Sequence, residues 1–227
     1  MSTDHLDADE SAEPRAADGR VPGRRGRATR QRLLECTGQM LKDRTYRDLK
    51  VVDIAREAGT SPATFYQYFP DVESAILVLA DYMVAQGSET FAGLTAKASW
   101  KGRAGYEASL DLVDGVLAFW ERFQPLLRVV DLATDEGDLR FANVRTRLLN
   151  DLNNTLARAA ADHQSLGKGQ PGVNADAIGG VLVAMMVHVS AHRLGFEFWG
   201  VRTEDLREAM ARIVFWSVTG QKPPVAG

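Results

Sequence analysis

The chain has 227 residues, of which 45% are hydrophobic and 25% are charged, and its formal net charge at pH 7 is -3. This length and composition suit a soluble globular protein with a real core, and the acidic balance argues against a protein coated with nucleic acid over its whole surface. The single cysteine, Cys36, excludes an internal disulfide framework and suits the reducing cytoplasm.

Residues 1–22 are predicted to form a disordered arm, because they are first acidic, then punctuated by Pro and Gly, and lack an apolar period. They also lack the apolar segment of an export signal. The charge then reverses, and a run of arginines leads into the apolar spacing of a first helix, through Leu33, Leu34, Cys36, Thr37, Met40 and Leu41. A basic segment therefore enters a helix.

The stretch VDIAREAGTSPATFYQYF, residues 52–69, predicts two short helices joined by a sharp turn. Gly59 stands where a helix ends in a left-handed residue, Ser61 is a good N-cap, and Pro62 suits the first position of the next helix. Phe65 and Phe69, four residues apart, are expected to be buried behind that helix. The pattern is typical of a helix-turn-helix, and a plain helical hairpin is the alternative.

The second short helix has small side chains at its start and hydrogen-bonding side chains at its end. Such a face can enter the major groove of DNA and reach phosphates or base edges. The preceding arginines favour this interpretation over the plain hairpin. The residues predicted to contact DNA are Arg24, Arg25, Arg27, Lys50, Thr60, Ser61, Pro62, Ala63, Thr64, Tyr66, Gln67 and Tyr68.

Helical spacing of apolar residues continues to the end of the chain, and no stretch alternates long enough to predict a strand. The protein is therefore predicted to be all-α. The later helices are expected from near Asp71 through Val84, from Tyr106 to Phe123, and over 139–161, 175–194 and 204–219. Pro125 is expected to break the second of these and leave a short segment at 126–132. Asn174 and Thr203 are the predicted N-caps of the last two.

Residues 27–77 resemble the DNA-binding domain of the TetR family of transcriptional regulators. The resemblance is carried by the first helix, by Tyr46, by VVDIAREAGTSPATFYQYF and by the following PDVESAIL. It implies that the second short helix is the recognition helix and that the chain acts as a dimer on a palindromic operator. It also implies a three-helix helix-turn-helix domain, at 23–72, joined to a larger helical ligand-binding and dimerisation domain at 73–220, with a tail at 221–227.

Two positions depart from the family pattern. The family often has Thr where Lys50 stands, so the usual cap partner of Asp53 is lost. A missing N-cap costs on the order of 1 kcal/mol, although Lys50 could reach a phosphate instead. The family also commonly has Lys where Val72 stands, so one familiar phosphate contact is absent and the arginines of the basic segment are expected to compensate.

The resemblance implies that the larger part of the chain binds a small-molecule effector and forms the dimer. Bulky or adaptable side chains that could line a cavity are Phe119, Trp120, Phe123, Phe141, Met185, Met186 and Val189. The dimer surface is expected on the last two long helices, at Gly179, Gly180, His188, His192, Met210, Ile213, Val214 and Trp216. Few charges interrupt these helices, so the effector is expected to be largely apolar.

His188 and His192 have the i, i+4 spacing of metal ligands on a helix. HVSAH lacks the Glu of a zinc-binding HExxH motif, and no further ligand is evident nearby. Packing or dimer contact is the expected role of both histidines. We predict no catalytic residue, no metal and no cofactor.

The sequence therefore predicts a cytoplasmic, ligand-responsive repressor, not an enzyme, that binds palindromic operator DNA as a homodimer and is released by an apolar small molecule. No membrane association is expected, because the most apolar stretch, 178–189, is shorter than the roughly 20 residues that span a bilayer. An effector-independent regulator or activator with a solid core is one alternative. A helical metal-binding protein or enzyme that uses His188 and His192 is another, and a purely dimeric interaction module would leave the arginines unexplained.

Overall fold

The computed structural model describes residues 23–96 and 99–224, and over these residues the protein contains only helices and the loops between them. The α-helices are α1 (Arg24–Asp43), α2 (Val51–Glu57), α3 (Pro62–Tyr68), α4 (Val72–Ala96), α5 (Gly102–Asp135), α6 (Leu139–Ser165), α7 (Ala175–Phe198) and α8 (Thr203–Thr219). A single 3-10 turn, Tyr46–Asp48, lies between α1 and α2. The all-α prediction is confirmed. The predicted arm at 1–22 and the last three residues of the predicted tail lie outside the described residues.

The chain divides into two compact units, one that ends at Leu79 and one that begins at Ala80. In the first unit, α1, α2 and α3 pack on one another around Leu33, Ile54 and Phe65, which have no exposed surface. In the second unit, α5, α6, α7 and α8 all pack against one another. The predicted domain boundary between residues 72 and 73 stays a prediction.

Pro125 does not break α5, so the predicted break and the separate segment at 126–132 are wrong. The helix runs through the proline for 34 residues. A proline inside a helix costs about 3 kcal/mol, because it removes one backbone hydrogen bond and crowds the preceding turn. Phe123, Leu127 and Val130 are buried on both sides of it. Because burial of each such side chain contributes about 1.5–3 kcal/mol, packing outweighs the cost of the proline.

Among the later helices, the starts expected near Asp71 and after Asn174 agree with the structure, and both residues cap their helices. Asp71 Oδ1 accepts the backbone N–H of Ser74 at 2.7 Å, and Asn174 Oδ1 accepts that of Ala177 at 3.0 Å. The prediction of Thr203 as the N-cap of α8 is wrong, because Thr203 is the first helical residue. Its hydroxyl donates to the carboxylate of Glu197. The end of α7 thus supplies an acceptor that draws this hydroxyl away from the backbone of α8.

α7 is strongly apolar but poorly covered within the chain. It extends past the predicted end at 194 to Phe198, and by length and composition alone it could cross a membrane, with a mean hydropathy of 1.4. A single such helix is weak evidence for a membrane span, because core helices of soluble proteins share these properties. Only 33% of its most apolar window is buried. α7 therefore leaves a broad apolar surface open.

Candidate functional site

The turn between α2 and α3 is built on a left-handed glycine, as predicted. Gly59 has φ +66°, and its N–H donates to the carbonyl oxygen of Arg56 at 3.0 Å. The N–H of Thr60 donates to the carbonyl oxygen of Ala55 at 2.8 Å. This pair of bonds satisfies the last carbonyls of α2 and reverses the chain. No described atom lies within 4 Å of where a Cβ of residue 59 would stand, so its backbone conformation, not crowding, favours glycine.

α3 begins and packs as predicted. Ser61 Oγ accepts the N–H of Thr64 at 3.2 Å, and Pro62 occupies the first helical position. Phe65 and Phe69 are 0% and 2% exposed, and their ring centroids lie 5.5 Å apart. The two rings hold one side of α3 in the core of the first unit, so the opposite side faces solvent.

All twelve residues predicted to contact DNA are accessible within the first unit. Arg24, Arg25, Arg27, Lys50, Ser61, Pro62, Ala63, Tyr66 and Gln67 are exposed, and Thr60, Thr64 and Tyr68 are half-buried. Those from residue 60 to residue 68 are brought together on α3 and the turn before it, whereas the arginines lie on the first turn of α1 and Lys50 precedes α2. Contact of these residues with DNA stays a prediction.

The two departures from the family pattern have different structural meanings. Lys50 holds the N-cap position of α2 without a side-chain cap bond to any described residue. Asp53 pairs instead with Arg56, at 2.7 Å, and with Arg44, at 3.8 Å. Val72 is only 7% exposed and belongs to the core. Lys50 therefore keeps an exposed charge at the start of α2, while position 72 offers none.

Arg30 is a residue of this region that sequence reasoning did not select. Its guanidinium lies over the ring of Phe69, 5.2 Å from the centroid, and so links α1 to the residue that ends α3. Burial lowers the pKa of Arg30, and its Nε is buried without a hydrogen-bond partner among the described residues. In the sequence it is one arginine among several, so no pattern distinguishes it from its exposed neighbours.

The residues predicted to line a ligand cavity lie in or beside the core of the second unit. Phe119, Trp120, Phe123, Phe141 and Met186 are buried, and Met185 and Val189 are half-buried. The ring of Phe119 contacts those of Phe91, Trp120 and Phe123 at centroid distances of 4.7–5.8 Å. The Nε1 of Trp120 is buried without an acceptor among the described residues. A role in ligand binding stays a prediction for all seven.

The residues predicted for the dimer surface separate into two sets. Gly180, His188, His192, Ile213 and Trp216 are exposed, whereas Gly179, Met210 and Val214 are buried. A Cβ on Gly179 would stand 2.7 Å from the carbonyl oxygen of Asn153 on α6, so this glycine permits close packing inside the chain. A Cβ on Gly180 would have its nearest neighbour at 3.7 Å. Gly180 therefore lies at the surface, where a second chain can reach it.

The two histidines of α7 stack on each other. The ring centroids of His188 and His192 lie 4.2 Å apart, and Nδ1 of His192 donates to the carbonyl oxygen of His188 at 2.9 Å. Within the described part of the chain, no group of three or more His, Cys, Asp or Glu side chains could hold a metal. The pair is thus a polar feature in the middle of an apolar helix face.

Sequence reasoning missed an open groove formed by the end of α5, the first half of α6 and α7, which we call the α6 groove. It encloses about 1110 Å³, and Gly180, His188 and His192 lie on one of its walls. Across it, Arg145 Nε lies 3.5 Å from Asp131 Oδ1. Burial raises the pKa of Asp131, and Arg145 partly opposes that effect. These side chains are far apart in sequence and meet only when three helices pack, so no local pattern indicates them.

Two family models match the chain. Residues 33–74 match the model described as "Bacterial regulatory proteins, tetR family". Residues 69–225, well over half of the chain, match the model described as "Tetracyclin repressor-like, C-terminal domain". The first match contains the turn and α3, and the second contains the α6 groove.

Individual relatives agree with these matches. The HTH-type transcriptional regulator EthR of Mycobacterium tuberculosis is 43% identical over 54 residues, which are 24% of this chain and 25% of EthR, so the match spans about a quarter of that relative. The structure of AibR in complex with isovaleryl coenzyme A and operator DNA has a TM-score of 0.62, at 15% identity over 82% of this chain and 98% of AibR. The structure of the transcriptional regulator FadR of Bacillus subtilis in complex with stearoyl-CoA has a TM-score of 0.61, at 15% identity over 84% of this chain and 98% of FadR. These two likenesses establish a shared fold.

Proposed function

The chain belongs to the TetR family of bacterial transcriptional regulators, and from that premise we propose that it is a ligand-responsive repressor. It binds a palindromic operator in the cytoplasm as a homodimer, and a largely apolar small molecule releases it. The family is one of regulators, not of enzymes. The observation that carries the proposal is α3, a short helix fixed on one side by two buried phenylalanines and open on the other.

Operator contact is supported by the chemistry of the open side of α3. Its start bears only small side chains, which let the helix approach the floor of a major groove. Tyr66 is 53% exposed and Gln67 is exposed, so a phenol and an amide are available to bases or phosphates. Arg24 and Arg25, on the first turn of α1, supply positive charge for the phosphate backbone.

The dimer is supported by apolar surface on the last two helices. A palindromic operator presents equivalent major grooves about 34 Å apart, so two recognition helices are required. Ile213 and Trp216 of α8 are 43% and 56% exposed, and Val181 of α7 is 68% exposed. Exposed apolar side chains grouped on adjacent helices are typical of a protein contact surface.

The effector is supported by the relatives and by one buried donor. The structure of AibR is a complex with isovaleryl coenzyme A, and that of FadR is a complex with stearoyl-CoA. Both ligands carry an apolar acyl chain. In this chain Trp120 is 4% exposed, and its Nε1 has no acceptor among the described residues. An apolar effector with one acceptor oxygen, bound among the aromatic side chains around Trp120, would satisfy that donor.

Tight packing in the same region favours a second candidate, an effector-independent regulator with a solid core. A Cβ on Gly87 would stand 2.4 Å from Leu148 Cδ1, and a Cβ on Gly115 would stand 2.2 Å from Leu94 Cδ1. Even a methyl group would have to displace a neighbour at either glycine. An effector would therefore have to open this core before it binds.

Operator binding is tested by gel-shift titration against the promoter region of the chain's own gene. We expect a saturable preference over bulk DNA, and about 6–10 phosphate contacts per dimer would give a log-log salt slope of roughly -5 to -9. Tyr66→Ala should weaken binding at least tenfold. Tyr82→Ala is the matched control, because Tyr82 is 55% exposed but lies in the second unit. Equal binding to unrelated DNA would overturn the proposal.

The effector is tested by thermal unfolding in the presence of acyl-CoA thioesters of increasing chain length. A ligand at 100 times its Kd stabilises the folded state by about 2.7 kcal/mol. We expect the same thioester to release the operator, and Trp120→Phe to weaken its binding without weakening operator affinity. Operator binding that no thioester changes, together with an unchanged unfolding temperature, would favour the effector-independent candidate.

A further inference from the structure

α7 exposes one continuous face that carries no formal charge. Its members are one, three or four residues apart and share one side of the helix, with Trp199 directly after its last residue. We call this face the α7 stripe, and it consists of Ala177, Gly180, Val181, Ala184, His188, Ala191, Gly195, Phe198 and Trp199, all of them exposed. A long apolar stripe without Asp, Glu, Lys or Arg marks a contact surface.

The two ends of the α7 stripe differ in side-chain size. The first half carries Ala177, Gly180 and Ala184, and the last two of these line the α6 groove. The other end carries Phe198 and Trp199, which are 88% and 75% exposed. A small end beside a groove and a large aromatic end are complementary when a second, identical stripe runs in the opposite direction.

We propose that α7 packs antiparallel on α7 of a second copy of this chain, and that Phe198 and Trp199 of each copy fill the α6 groove of the other. This inference rests on the homodimer of the proposed function and adds the register in which the two α7 helices pack. If Phe198 lies opposite Gly180, the twofold axis crosses α7 near residue 189, and Gly195 comes to lie beside Ala184 of the second copy. Antiparallel packing also sets opposite ends of the two helix dipoles side by side.

The area required by a stable dimer makes the groove part of the interface. The 24 residues of α7 give a helix about 36 Å long, and a strip about 10 Å wide along it covers roughly 360 Å². Stable interfaces bury about 800 Å² per partner, so the stripe alone supplies less than half. The α6 groove, filled by two aromatic side chains, and the exposed Ile213 and Trp216 of α8 supply the remaining surface.

Cysteine cross-linking in the full chain tests the register. Cys36 is first replaced by Ala, and two differently tagged copies, one with Gly195→Cys and one with Ala184→Cys, are co-expressed and oxidised. A disulfide needs Cα atoms about 4.4–6.8 Å apart, so the mixed dimer is expected to cross-link. Gly195→Cys alone is not, because its two copies would stand about 18 Å apart along the helices. Leu166→Cys is the exposed control, at 63% exposure outside the stripe.

The possible outcomes separate this inference from the dimer on which it rests. Cross-linking of Gly195→Cys to itself, or a dimer in which the mixed pair fails to cross-link, would overturn the register and leave the homodimer intact. A chain that sediments as a monomer at micromolar concentration would overturn both. Protection of α7 from hydrogen exchange that is lost when residues 1–22 are deleted would assign the stripe to that segment and also overturn the inference.

Truncation of the two aromatic side chains provides a second measurement. Phe198→Ala combined with Trp199→Ala is expected to weaken dimerisation at least tenfold in analytical ultracentrifugation. Leu139→Ala is the matched control, because Leu139 is 82% exposed but lies outside the stripe. Equal dimerisation constants for the double variant and the parent would show that the aromatic side chains do not fill the groove.

Discussion

The two units differ in how far apart in sequence the residues of their exposed surfaces lie. In the first unit, Gly59, Ser61 and Phe65 fix the position of α3 within seven residues of sequence. In the second unit, the α6 groove brings Asp131 and Arg145 together with His188, from three separate helices. The exposed side of α3 thus depends on local backbone chemistry, whereas the groove depends on how long helices pack. Substitutions should therefore affect the two surfaces separately.

The largest expected effect comes from removing a fully buried phenylalanine in each unit. Phe65 and Phe141 are both 0% exposed, and Phe→Ala in a core costs about 3–5 kcal/mol. Phe65→Ala should speed hydrogen exchange in α1, α2 and α3 and abolish operator binding, while Phe141→Ala should speed exchange in α5, α6, α7 and α8. If either variant speeds exchange equally in both units, they unfold together and the contrast between them fails.

The second effect is confined to the second unit and appears only at high pH. Tyr106 is 9% exposed, and burial raises its pKa to about 12, compared with about 10 in an unfolded chain. The folded state holds this proton more tightly, so the stability it contributes is complete below about pH 10 and is lost as the pH rises to about 12. The difference amounts to about 2–3 kcal/mol.

Tyr106→Phe removes the titrating group and measures this effect. Urea unfolding between pH 9 and pH 12 should show a shallower loss of stability in the variant than in the parent. Tyr82→Phe, at an exposed position of the same unit, should keep the dependence of the parent. Parallel curves for the parent and Tyr106→Phe would mean that the phenol of Tyr106 is solvated in the folded protein.

The sequence was most informative where structure is determined locally. Gly59, Ser61 and Pro62 predicted the turn and the start of α3, because each residue acts on backbone within three or four positions. Phe65 and Phe69 were correctly predicted to be buried, because their spacing matches one helical turn. The exposed side of α3 follows from the same geometry.

Where tertiary packing competes with a local rule, the sequence was misleading or silent. Pro125 does not end α5, because buried neighbours on both sides of it hold the helix together. Thr203 does not cap α8, because its hydroxyl donates to the carboxylate of Glu197. No sequence pattern indicates the pair of Asp131 with Arg145. The α7 stripe is different, because its small residues and its lack of charges form a helical pattern that could have been recognised.

A smaller effect tests whether the turn of the first unit depends on backbone conformation alone. Gly59→Ala places a side chain at φ +66°, which costs about 1–2 kcal/mol. Gly93→Ala in α4 is the control, because no described atom lies within 4 Å of its Cβ position and alanine favours a helix by about 0.5–1 kcal/mol. Chemical denaturation should therefore give changes of opposite sign. A stabilised Gly59→Ala would contradict the local account of the turn.

The smallest expected change in stability is at Lys50, one of the two positions at which the first unit departs from its family. Lys50 makes no side-chain cap bond to the described part of α2, so Lys50→Ala should alter the free energy of unfolding by less than about 0.5 kcal/mol. Its effect on DNA binding separates two roles. A phosphate contact contributes about 0.9 to the salt slope, so losing one in each protomer should reduce the slope by roughly 2.

Lys50→Thr restores the residue that the family often has there and serves as the matched variant. A threonine N-cap should stabilise α2 by about 1 kcal/mol, but it removes the same positive charge as Lys50→Ala does. If Lys50 holds a phosphate, both variants should lose the same part of the salt slope in gel-shift titrations, although only Lys50→Thr gains stability. If both keep the salt slope of the parent, Lys50 does not contact a phosphate, and its charge does not compensate for the missing N-cap. The phosphate contacts of this unit then come from the arginines of α1.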